Sequence, residues 1–205
     1  MTVVVGCGLV AGCEKSRRVV DTSVLVVQPG VGISNVCEVG MTFSQIRRAA
    51  GDATTHGIYD DSVSWRRLES GGRGLFVLVP SLAAIAPIGE NQPTALIEFY
   101  VRPYQASMIP GLEIREPFRG KLGDRLSFKN RPVSKPEVEG VFGSVGQVAA
   151  NPAEALEFRK KGERFIQQRG NGVEELWYPD KGVAVVCTSN VVTSFQVFRA
   201  RGTNR

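Results

Sequence analysis

Apolar positions recur along this chain with two periods, and the change from one to the other marks its elements. From Leu96 to Arg102, Ile97, Phe99 and Val101 alternate with Glu98, Tyr100 and Arg102, the period-two signature of a strand with one buried side. Runs rich in β-branched and aromatic residues, punctuated by turns, predict further strands at Leu75–Val79, Leu82–Ile88, Val173–Tyr178, Val183–Thr188 and Val191–Phe198. Helical spacing appears at Ile46, Ala49 and Ala50 and again at Val138, Val141 and Phe142. Each set follows a hydroxyl residue, Thr42 or Ser134, with Gln45 or Glu137 three residues on, which is the capping-box pattern. Gly51 and Gly143 close the two stretches and are expected in the left-handed conformation that ends a helix. Asp61 is placed to cap a second helix over Ser62–Leu68, and Asn151-Pro152-Ala153-Glu154 opens another through Lys161.

The order of these elements repeats. Residues 1–28 read as a leader and tether, with a strand over Val19–Val27, and Pro29-Gly30 opens a first unit that runs to residue 108. Pro110-Gly111 opens a second unit, 109–205, with an added basic loop or hairpin from Lys121 to Arg131. The fold expected is α+β: two tandem helix-helix-three-strand repeats with antiparallel sheet and helices on one face. Alternation then turns Glu98, Tyr100, Arg102, Glu175, Trp177, Gln196 and Phe198 to the opposite, open face. Aromatic side chains interleaved with charged and amide groups are the composition of a partner-binding surface. The competing reading is that the sheets curl and these rings bury one another.

Composition changes the picture little. The chain has 205 residues, 42% of them hydrophobic and 22% charged, enough for a real core. The net charge of +5 is mostly dispersed among acids, and no nucleic-acid motif accompanies it, so nucleic acid is not favoured as a partner. The stretch Met1–Gly12 is uncharged, and Val10-Ala11-Gly12-Cys13 resembles the lipobox of bacterial lipoproteins, which implies lipidation at Cys13. No Lys or Arg precedes that run, a departure from the lipoprotein pattern. The alternative is a cytoplasmic protein with an N-terminal strand. Cys37 and Cys187 are then either a disulfide pair, available in an oxidising compartment, or two buried thiols on strands.

The motif built from Val39-Gly40-Met41-Thr42, Gln45, Ile46 and Gly51, followed later by Trp177-Tyr178, Gly182, Val191 and Phe195, resembles two families. These are the small lipoproteins of the outer-membrane β-barrel assembly machinery and the β-lactamase inhibitory proteins, which carry two such units in tandem. The second copy departs from the pattern, with Pro132-Val133-Ser134 in place of the Gly-Met-Thr lead. The resemblance implies a non-catalytic, protein-binding module of the bacterial envelope, anchored to a membrane by lipid and bound to another envelope or secreted protein.

Catalytic chemistry is thin. His56 is the one histidine, no nucleophile motif accompanies it, and the acid pairs Asp60-Asp61 and Glu174-Glu175 lack partners in sequence. No Cys/His cluster has metal-ligand spacing, and no cofactor is expected. The leading reading is an envelope lipoprotein that binds or scaffolds. The alternatives are an inhibitor of a secreted or periplasmic enzyme and a small hydrolase with an unfamiliar site.

Overall fold

A computed structural model of the chain describes residues 25–35, 37–42, 45, 93–102 and 118–201, together with the backbone of five further strand segments within 54–114. The central element is a seven-stranded sheet. Its strands, in spatial order, are β12 (Val148–Ala149), β13 (Phe165–Gly170), β14 (Val173–Tyr178), β15 (Val183–Thr188), β16 (Val191–Phe198), β7 (Leu96–Tyr100) and β6 (Ala84–Ile85). Every pairing is antiparallel except β12–β13. A three-stranded sheet joins β1 (Val26–Val27), β10 (Lys121–Leu122) and β11 (Leu126–Ser127). Short two-stranded pairs are formed by β2 (Gly32–Ile33) with β3 (Cys37–Glu38), β4 (Thr54–Tyr59) with β5 (Gly74–Leu78), and β8 (Tyr104–Gln105) with β9 (Glu113–Ile114).

Two helices are complete among the described residues: α1 (Lys135–Phe142) and α2 (Pro152–Lys161). Both start where local chemistry directs. The Ser134 N–H and hydroxyl donate to the Glu137 carboxylate at 2.9 and 2.8 Å, and Asn151 accepts the Glu154 N–H at 2.9 Å. The Thr42–Gln45 box forms too, with the Thr42 N–H 2.8 Å from Gln45 Oε1, and Gln45 is helical. The helix expected over Ser62–Leu68 and the helix end expected at Gly51 lie outside the described residues. Gly143 follows α1 at φ +98°, ψ 154°. That is not the left-handed helical region expected, yet it is still a conformation open chiefly to glycine, and a Cβ there would run into the Arg164 guanidinium.

The expected architecture of two helix-helix-three-strand repeats is overturned. The described residues are mostly β, and strands from both halves share one sheet. Strand β7, from the first half, pairs along its length with β16, the last strand of the second. The helices also lie on opposite sides. Val138 and Phe142 of α1 join the main core, whereas Ala155 of α2 joins a separate cluster with Phe165, Trp177 and Ala184. Adjacent residues on one strand point to opposite faces, so Trp177 and Tyr178 of β14 enter different cores.

The main core begins with a row running straight across four strands, Leu176–Val185–Phe195–Phe99. Phe118 and Phe128 close over it. Phe195 stacks on Phe99 at 4.9 Å and on Phe128 at 5.4 Å, and meets Phe118 edge-on at 5.8 Å. Val27 of β1, Leu122 of β10 and Leu126 of β11 complete the cover, so the small three-stranded sheet roofs one side of the large one.

Candidate interaction surfaces

The structure gathers the expected partner-binding residues on the side of the sheet opposite the phenylalanine core. The register runs Trp177–Ala184–Gln196–Glu98, with Tyr100 opposite Ser194 and Phe198 opposite Leu96. It does not leave them open. Trp177, Glu175, Gln196 and Glu98 are buried, Tyr100 and Phe198 are half-buried, and Arg102, past the end of β7, is exposed. The reason is α2. The Asn151–Pro152 start aims this helix across the sheet, so that Ala155 and Phe158 pack on Phe165, Trp177 and Phe198. Phe165 and Trp177 stack at 5.7 Å with their planes nearly parallel, and the Arg159 guanidinium lies 4.7 Å above the indole.

Each acid on this side is held by donors. Glu175 accepts from Arg169 at 3.0 Å and from the Trp177 indole N–H at 3.2 Å. Glu98 accepts from the Ser194 hydroxyl at 3.1 Å and the Gln196 amide at 3.3 Å. A buried carboxylate is tolerated only when it is satisfied in this way. Trp177, Glu175, Gln196 and Glu98 are therefore interior groups rather than partner anchors.

The other chemically active residues stay apart. Cys37 and Cys187 are both buried free thiols, so the disulfide alternative is not what forms. Burial pushes each up to about 12, which leaves them protonated and unreactive. Glu174 and Glu175 point to opposite sides of β14: Glu174 pairs with Lys135 at 2.7 Å while Glu175 is buried with Arg169, so they cannot act as a carboxylate pair. His56 falls within strand β4, and Asp60, Asp61 and Cys13 lie outside the described residues. Among the described residues no three His, Cys, Asp or Glu side chains gather as metal ligands, and no helix is long and apolar enough to cross a membrane.

The exposed chemistry is on the β10–β11 hairpin. Phe118, Leu122, Leu126 and Phe128 face the core, and Arg119, Lys121, Arg125 and Lys129 are exposed. Lys121 sits opposite Ser127, and the Phe128 N–H donates to the Gly120 carbonyl at 3.0 Å, which carries the pairing one step further. Arg119 and Lys129 each lie one residue beyond that contact, just past the paired strands, so four exposed cations gather on one short hairpin. Like charges gathered in this way repel one another. No ion pair engages Arg119, Lys121, Arg125 or Lys129 among the described residues, in contrast to Arg131, which holds Glu137 at 2.5 Å. The stretch Lys121–Arg131 is legible in the sequence as a basic loop, and Arg119 lies just outside it. The signal was the apolar alternation on both sides of Gly123-Asp124, which turns the whole stretch into a ribbon with one charged face.

Comparison with protein-family models, with curated proteins and with solved structures finds no match to this chain.

Proposed function

We propose that this chain is a non-enzymatic binding module of the bacterial cell envelope, tethered by lipid on Cys13 and engaging an acidic surface through the cationic ribbon. The observation that carries the reading is the cluster of Arg119, Lys121 and Lys129, three exposed cations on one small ribbon with no ion pair to any of them among the described residues. A hairpin serving only to roof the core gains nothing from repulsion on its outer face, and an anion laid across it removes that repulsion. The envelope location rests on the Val10–Cys13 motif and the body's binding role on the ribbon.

Fractionation of cells expressing the chain with its own upstream region tests both parts. The wild type is expected to stay with envelope membranes through a high-salt wash. Cys13→Ala should remain bound at low salt and come off at high salt, because only the ribbon then holds it. Adding Arg119→Gln, Lys121→Gln and Lys129→Gln to Cys13→Ala should release it at low salt. Retention of that fourfold variant, or a wild type recovered in the cytoplasm with Met1 intact, overturns the reading.

A further inference from the structure

The ribbon's neighbours narrow the acidic surface to one chemical class. We infer that the outer face of the β10–β11 hairpin docks on the anionic phospholipid headgroups of the membrane beside which the chain is tethered; this rests on the binding role proposed above. The exposed positions are Arg119, Lys121, Asp124, Arg125, Ser127 and Lys129, with four cations to one acid and no aromatic or aliphatic side chain among them. Protein interfaces depend on a few aromatic or arginine anchors packed in pockets, and lysine is depleted at their centres. A headgroup layer asks for charge alone and takes up Lys and Arg on a flat surface without pockets. The ribbon likewise offers no ring for a nucleobase to stack on.

The route of the chain supplies the second argument. Strand β1 runs parallel to β10 at the hairpin's side, with the Lys121 N–H donating to the Leu25 carbonyl at 2.9 Å and the Gly123 N–H to Val27 at 2.9 Å. The segment that leads back to Cys13 therefore leaves the fold next to the charged face. From Cys13 to Leu25 the chain spans roughly 40 Å at most when fully extended. It carries Lys15, Arg17 and Arg18 against Glu14 and Asp21, three cations to two acids. A basic patch within reach of the same surface adds an electrostatic hold to that of the lipid on Cys13. Tether and patch here emerge side by side.

The test uses the full chain made without lipid, so that the ribbon acts alone, and sedimentation with vesicles. Binding is expected to mixed phosphatidylcholine–phosphatidylglycerol vesicles and not to pure phosphatidylcholine, and it should weaken as salt rises. Each cation neutralised should lower the partition coefficient about fivefold, so Arg119→Gln with Lys121→Gln and Lys129→Gln should lower it roughly 100-fold. Two charges removed from α2 instead, with Lys160→Gln and Lys161→Gln, should leave it unchanged. Both variants alter exposed side chains, and an unchanged circular dichroism melt verifies the fold. Equal loss in the two variants overturns the assignment to the ribbon. Absence of binding to the mixed vesicles, while the ribbon still holds the Cys13→Ala protein to cell envelopes, overturns the lipid assignment and leaves an acidic protein as the partner. Binding to a duplex oligonucleotide but to neither vesicle overturns it in favour of nucleic acid. Loss of both vesicle and envelope binding takes the proposed function down with it.

Discussion

The two sides of the seven-stranded sheet are built from the same strands by the same alternation, and they differ in almost everything else. One side is a layer of phenylalanine, leucine and valine under the small β1–β10–β11 sheet and α1. The other buries Glu98, Glu175, Ser194 and Gln196 beside a short aromatic cluster under α2. On the first side, cohesion comes from area removed from water and from ring packing. On the second it depends on every donor finding its acceptor, so that removing one group strands another. The comparison shows that amphipathic alternation reports which side a residue faces and leaves open whether that side is wet.

The largest effect that sharpens this contrast is expected at Phe195, at the centre of the apolar side. Phe195→Ala removes the ring that touches Phe99, Phe118 and Phe128 and should cost about 3–5 kcal/mol in urea unfolding. A loss below about 1 kcal/mol would mean that the phenylalanine layer does not govern stability.

On the polar side, Trp177→Phe keeps a ring under α2 and deletes the indole N–H that donates to Glu175, together with part of the ring stacked on Phe165. It should cost about 1–2 kcal/mol, the charge left short of a donor being the cause. If Trp177→Phe proves neutral while Trp177→Ala is severe, the second side is held by packing as the first is, and the contrast fails.

The smallest effect concerns the cap of α1. Arg131, followed by the Ser134 N–H and hydroxyl, holds Glu137 well below the usual carboxylate value of 4.5, at about 2. Because the folded state binds the proton less readily, this cap contributes fully above pH 4.5, and its contribution is lost as pH falls toward 2. The pair is solvent-exposed and screened, so Glu137→Gln should remove only a few tenths of a kcal/mol at neutral pH and nothing at the acid end. Thermal melts of the two proteins across that range should converge at low pH, and a constant gap would show that the carboxylate's charge is irrelevant.

Local signals were read well from the residues alone. The boundaries of β14, β15 and β16 match the runs of β-branched and aromatic residues, and both helices begin at their capping residues, because these features depend on neighbours within four positions. Strand β13 escaped notice. Phe165-Ile166 gives way to Gln167-Gln168-Arg169, which resembles a solvated loop more than a strand. Gly170-Asn171-Gly172, all three at positive φ, was the available hairpin signal. The union of β7 with β16 was hidden for a different reason: alternation fixes a strand's facing and carries no address for its partner. The same gap hid the cover over the residues expected to bind a partner. Trp177 and Phe198 were correctly placed opposite the core, but the helix that covers them is specified by Ala155 and Phe158, two apolar residues in a charged helix.

The parallel pairing of β1 with β10 has a consequence for the order in which the molecule is made. Val26 leaves the ribosome early, and its partner Lys121 has not yet been synthesised. The antiparallel β10–β11 hairpin closes on itself as soon as it emerges, whereas β1 must wait for a distant segment and meanwhile carries unpaired backbone groups. The hairpin is thus the template and the N-terminal strand its late arrival. Any agent that threads the chain through a membrane N-terminus first would hold β1 on the far side, uncommitted, until residue 121 follows it across.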